Sequence, residues 1–121
     1  MADSFDAERV ETVMFDSFGT LVDTTSAARV LEDLVEDPEA VARRWRSNAL
    51  TYSLVANDLD RYETYFELHR LGLRDALLAE GVERSEERLH ELTMVYHDLD
   101  PVEGVAEGIR RLDEAGYRPS V

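Results

Sequence analysis

The amino-acid sequence predicts an α/β protein that is mostly helical. Three features carry that expectation. An apolar run at residues 10–15 stops abruptly at Asp16, amphipathic helical patterns fill the chain from there to about residue 97, and a short extended stretch opens at Tyr117 after one more helix. A strand, a set of helices and a second strand is the order of a parallel sheet, whose neighbouring strands need a long crossover between them. Only the first strand is complete and the second is just beginning. One strand cannot form a sheet by itself.

Composition narrows the class further. The 121 residues leave room for one domain, and a hydrophobic share of 44% suffices to bury a core. No apolar run approaches membrane-spanning length, and the start of the chain lacks the basic and apolar segments of a secretory signal, so a cytoplasmic location is expected. Cysteine is absent, which excludes disulfides, thiol catalysis and thiolate metal sites. All 13 cationic residues are arginine, against 27 carboxylates, for a net charge of −14. Nucleic acid is a poor partner for such a surface. The acids are scattered rather than gathered in a tail. With no lysine, this suggests a protein made for high salt, although an ordinary acidic cytosolic protein has the same composition.

In chain order, residues 1–9 are polar and expected to be loose. The strand at 10–15, with Val13, Met14 and Phe15 consecutive, fits burial on both faces of a sheet covered by helices. Asp16-Ser17-Phe18-Gly19-Thr20 follows as a loop. Asp37-Pro38-Glu39 supplies an N-cap acceptor, a proline at the first helical position and an acid in the first turn. The helix it opens carries Val41, Trp45, Leu50, Tyr52 and Leu54. A second helix runs through Tyr62, Tyr65, Phe66, His69, Leu73, Ala76 and Leu77 to end near Gly81. Ser85 caps a third, with Leu89, Leu92 and Tyr96 on one stripe. Pro101 breaks the pattern, and a fourth helix over Val105, Ile109 and Leu112 reaches Gly116 before the second strand.

The chemistry is concentrated around Asp16. A carboxylate at the C-terminal end of a buried parallel strand sits where α/β sheets place their ligands. Gly19 permits a sharp turn, the Thr20 hydroxyl can orient the carboxylate, and such a carboxylate can act as a nucleophile. An aspartate closing a strand beside a glycine is also a common plain turn residue. Arg46, with Arg43 and Arg44 beside it, has the pattern of a solvated helix arginine. Trp45, Tyr52 and Tyr62 read as core packing, and His69, His90 and His97 as helix-face or boundary residues. No histidine or carboxylate spacing indicates a metal site.

The stretch Asp16-Ser-Phe-Gly-Thr-Leu-Val-Asp23 resembles the first motif of the haloacid dehalogenase (HAD) superfamily. Arg44-Trp45-Arg46-Ser47-Asn48-Ala49-Leu50-Thr51-Tyr52 resembles the cap-domain helix of its type II 2-haloacid dehalogenases, and Arg61-Tyr62-Glu63-Thr64-Tyr65 continues the likeness. The resemblance implies a HAD-like Rossmannoid core, of which the first strand and a return helix are present, with an inserted helical cap. The corresponding division is residues 1–22 for the first core strand and nucleophile loop, 23–97 for the cap, and 98–121 for the return helix and the start of the second strand. The family's later Ser-Asn motif, lysine and acidic motif have no counterpart here. The chain therefore resembles the first half of an enzyme, and the isolated 121 residues are expected to be inactive.

What the resemblance implies can be stated by residue. Asp16 attacks C2 of a 2-haloalkanoic acid and displaces halide. Water then cleaves the aspartyl ester to release a 2-hydroxy acid. Arg46 stabilises the halide; Phe18, Ser47, Leu50 and Tyr65 contact the substrate; Thr20 and Asp23 hold the loop. Superfamily phosphatases resemble Asp-x-Asp-Gly-Thr, with an acid where this chain has Phe18. A phenyl ring moves no proton, and a departing halide needs none. No cofactor is implied; Mg²⁺ belongs to the alternative of a phosphatase acting on a small metabolite, and a non-catalytic fragment is a third reading. The partner is a small 2-haloacid, without nucleic acid or membrane, and a homodimer is compatible.

Overall fold

The computed structural model describes residues 4–121. They divide into two units: the chain up to Asp23 together with Asp100–Val121, and Thr24–Leu99.

In the first unit, β1 (Thr12–Met14) pairs in parallel with β2 (Arg118–Ser120), so that Val13 lies opposite Pro119. The ladder extends at both ends, where Arg118 N–H donates to Glu11 O and Phe15 N–H to Ser120 O, each at 2.9 Å. The start of the second strand thus gives the first a parallel neighbour inside the chain, in the order the sequence predicts. Burial on both faces, however, is not observed. Met14 is 76% exposed and Val13 only half-buried. A two-stranded sheet gives β1 a partner on one edge, and among the described residues the unit has a single α-helix with which to cover it. That helix, α4 (Val105–Glu114), turns the half-buried Val105, Ile109 and Leu112 to one side, at the spacing of a helical stripe. Of the segment expected to be loose, residues 1–3 lie outside the described residues. Ala7–Arg9 forms a 3-10 turn, capped by the Asp6 carboxylate accepting from Glu8 N–H.

The second unit is helical. A 3-10 segment, Thr24–Leu31, leads into α1 (Pro38–Asp58), α2 (Tyr65–Ala79) and α3 (Glu86–Thr93), and the 3-10 turn Met94–His97 continues α3. Each α-helix starts on a side-chain acceptor: Asp37 takes Ala40 N–H, Thr64 takes Glu67 N–H and Ser85 takes Arg88 N–H, all at 3.1 Å. Trp45, Leu31, Leu73, Leu77 and Leu89 are buried at the centre. Tyr62 is not part of α2. It precedes the Thr64 cap and is 91% exposed, so its expected core role is not observed. Tyr52 is half-buried rather than core, and its phenol donates to Asp75 on α2. Tyr96 falls in the 3-10 turn, not on α3.

Helices α1 and α2 approach closely at Gly72. A Cβ there would lie 3.1 Å from both Ala49 N and Trp45 O, and the Asn48 amide donates to Gly72 O at 3.0 Å. Among the described residues no helix is long and apolar enough to cross a membrane.

Candidate active-site residues

Asp16 follows β1 at its C-terminal end and is exposed. The loop after it is a tight backbone structure. Ser17 O accepts from Thr20, Leu21 and Val22 N–H at 3.2, 2.8 and 3.2 Å, and Gly19 N–H returns to Val22 O at 2.8 Å. Gly19 makes this turn at φ +83°, a region that L side chains rarely adopt. The segment is then pinned to the returning chain, with Asp23 N–H donating to Asp100 O at 2.8 Å and Val102 N–H to Leu21 O at 2.9 Å. The expected bond from the Thr20 hydroxyl to Asp16 is not made. Thr20 is exposed, and main-chain bonds already define the turn. Phe18 is half-buried and bridges to Val22. In the same unit, Phe15, Thr20, Leu21, Val105, Gly108, Ile109 and Leu112 line an apolar cleft of about 350 Å³.

The helical unit carries the other candidates. Arg46 lies on α1, one residue past the buried Trp45, and is half-buried. Its Nη1 lies 3.1 Å from Nε2 of His69 on α2. The other ring nitrogen, Nδ1, is 2.7 Å from the Tyr65 carbonyl oxygen. A carbonyl only accepts, so Nδ1 bears the hydrogen and Nε2 presents its lone pair to the guanidinium. His69 is 2% exposed. Its ring lies 4.3 Å from that of Tyr96 and 5.2 Å from that of Tyr65, and its carbonyl accepts from Trp45 Nε1–H at 2.7 Å. Burial, reinforced by the Arg46 charge, holds the imidazole below its usual 6.5, although the bond to Tyr65 O works the other way. Burial likewise pushes the Tyr96 phenol up to about 12.

Arg46 and Tyr65 therefore meet at His69. Ser47 and Leu50 are exposed on α1, Leu50 by 42%, and the Tyr65 ring is 51% exposed. Tyr65 also lines a cleft of about 360 Å³ with Leu54, Asn57, Asp60, Arg61 and Leu68. Arg46 borders a smaller hollow with Thr24, Thr25, Ala42 and Arg43. His69 is the residue that sequence reasoning misjudged. It is a buried partner of Arg46, not a helix-face or boundary residue. The signal was its place among Tyr65, Leu73, Ala76 and Leu77 on the apolar stripe of α2, where a polar ring must find partners. Among the described residues no group of three or more His, Asp or Glu side chains is arranged to hold a metal ion.

A parallel pair with a carboxylate after its first strand and a helical unit inserted before the second matches part of the HAD-like L-2-haloacid dehalogenase fold. By sequence, the chain is homologous to (S)-2-haloacid dehalogenases over about nine-tenths of its own length. It is 28% identical over 110 residues to the enzyme of Pseudomonas fluorescens, covering 90% of this chain and 48% of that one. The corresponding figures for Xanthobacter autotrophicus are 29% over 104 residues, 85% and 41%. The solved L-2-haloacid dehalogenase of X. autotrophicus matches at a TM-score of 0.82 and 28% identity, over 92% of this chain and 46% of that one. The same enzyme with chloropropionic acid covalently bound matches at 0.81 and 26%, with the same coverage. No family model matches the chain. The chain spans about half the length of the curated relatives it matches.

Proposed function

We propose that the chain carries the nucleophile of a hydrolytic 2-haloacid dehalogenase, and that Thr24–Leu99 is its helical cap domain. One observation carries the reading. Asp16 closes the first strand of a fold that, over 92% of this chain, is like that of a dehalogenase with chloropropionic acid covalently bound. Asp16 attacks C2 of the 2-haloacid, the C–halogen bond breaks, and halide departs as the aspartyl ester forms. Water then adds to the ester carbonyl and frees the 2-hydroxy acid with the carboxylate restored. Arg46 takes up the charge that develops on the halide. Phe18, Ser47, Leu50 and Tyr65 are the substrate-binding residues of this reading, and Thr20 belongs to the nucleophile loop. Metal is dispensable, because the reacting carbon is neutral and Phe18 has no proton to give.

Isotope incorporation tests this directly. With 2-chloropropionate in ¹⁸O-water, the full-length protein should build label into the Asp16 carboxylate over many turnovers, and Asp16→Asn should abolish halide release. Label found only in the product would exclude covalent catalysis at this residue. Mg²⁺-dependent cleavage of an aryl phosphate exceeding any halide release would instead favour phosphoryl chemistry.

A further inference from the structure

We infer that His69 is the positioning residue of Arg46: its neutral imidazole holds the guanidinium through Nε2, and its protonation lets the guanidinium go. The inference deepens the proposed role of Arg46 at the halide and rests on it.

The geometry gives each ring nitrogen of His69 a partner. The Tyr65 carbonyl takes the Nδ1 hydrogen, which fixes the tautomer from one turn earlier on α2. The lone pair at Nε2 is then directed to Arg46 Nη1 on α1. The His69 main chain is anchored separately, since its carbonyl accepts from Trp45 Nε1–H. Ring motion is limited by Tyr65 on one helix and by Tyr96 from the 3-10 turn Met94–His97. Among the groups facing the imidazole are a guanidinium from α1, a carbonyl and a phenol from α2, and the Tyr96 phenol, which stays neutral across the working range.

A proton added at Nε2 would replace this acceptor with a donor and set a second cation against Arg46 inside a buried site. The pair can exist only with His69 neutral. A guanidinium has several rotamers and five donors, so an acceptor on the facing helix favours one orientation. Acidification through the His69 transition therefore removes this acceptor from Arg46 without changing the charge of Arg46 itself.

The two halves of the inference are separable by experiment. Two-bond ¹⁵N–¹³C imidazole spectra of the 121-residue chain should show His69 as the Nδ1–H tautomer. Its titration should move up toward the ordinary value in Arg46→Met. An Nε2–H tautomer, or a His69 titration indifferent to Arg46→Met, would overturn the pairing whatever the enzyme does. In the full-length protein, the acid limb of the kcat/KM profile for 2-chloropropionate should coincide with the His69 titration. His69→Gln keeps an acceptor oxygen that does not titrate, and should retain kcat near neutrality while the acid limb moves lower. His69→Leu should lower kcat about tenfold or more with helical circular dichroism intact, the usual scale for losing a side chain that orients a functional one. An acid limb unmoved in His69→Gln would overturn the positioning role. Absence of halide release from the parent protein would overturn the proposed function, and the spectra would still decide the pair.

Discussion

His69 and Arg46 show how one residue's chemistry depends on a neighbour 23 positions away. The unfolded chain protonates its histidine near 6.5, whereas the folded chain resists that proton chiefly because the ring is buried. Above about pH 6.5 neither state binds it and the histidine leaves stability unaffected. As pH falls from there toward the lower folded value, the unfolded state takes up the proton first and stability drops. In molar KCl, the urea midpoint of the chain should fall between pH 7.5 and 5.5, and the fall should be smaller in His69→Gln. Equal slopes in the two proteins would mean that the imidazole is not held neutral by the fold. Asp16 and Arg46 were singled out by the resemblance of the stretches that hold them, since by local pattern alone the first reads as a turn residue and the second as a solvated helix arginine. His69 was not, because a histidine on a helical stripe looks the same whether Tyr96 comes to cover it or not.

At the scale of elements, the helices and the parallel order of the two strands were legible, and the burial of the strands was not. Asp37-Pro38 and Ser85 announce helix starts through bonds made within four residues, and those bonds form as expected. Burial of β1 depends on what lies across the sheet, which a run of Val13, Met14 and Phe15 cannot specify. The approach of α1 to α2 was likewise hidden, since Gly72 reads as an ordinary helical glycine until Trp45 O and Ala49 N are found against it. Gly72→Ala should therefore reverse the usual gain from replacing a helical glycine. The new methyl meets main-chain atoms that cannot rotate away, and the cost should be about 1–3 kcal/mol of unfolding free energy. Gly108→Ala on α4, where a Cβ meets nothing within 4 Å, serves as the control and should be neutral or stabilising. A Gly72→Ala protein as stable as its parent would show that the helices can separate at no cost.

Across the whole molecule the net charge of −14 is the dominant long-range fact. Several arginines are already engaged locally: Arg70 joins Glu67 and Glu86, and Arg110 joins Glu107 and Glu114. Such pairs neutralise neighbours but leave the excess carboxylates to repel one another, and the compact state brings them closer than the unfolded one. Glu32, Asp33 and Glu36 are an exposed example, three acids within five positions ahead of the Asp37 cap. Added salt shortens the reach of that repulsion from about 10 Å at 0.1 M to about 3 Å at 1 M. The thermal midpoint of the helical signal should therefore rise with KCl over this range, by roughly 4 °C for each kcal/mol of repulsion removed. The combination Glu32→Gln, Asp33→Asn and Glu36→Gln should raise the midpoint at low salt and flatten its dependence on KCl, because both effects have the same origin. If the triple variant kept the parent's salt slope, screening of surface carboxylates would not be the cause, and a general effect of salt on apolar burial would have to explain the stabilisation.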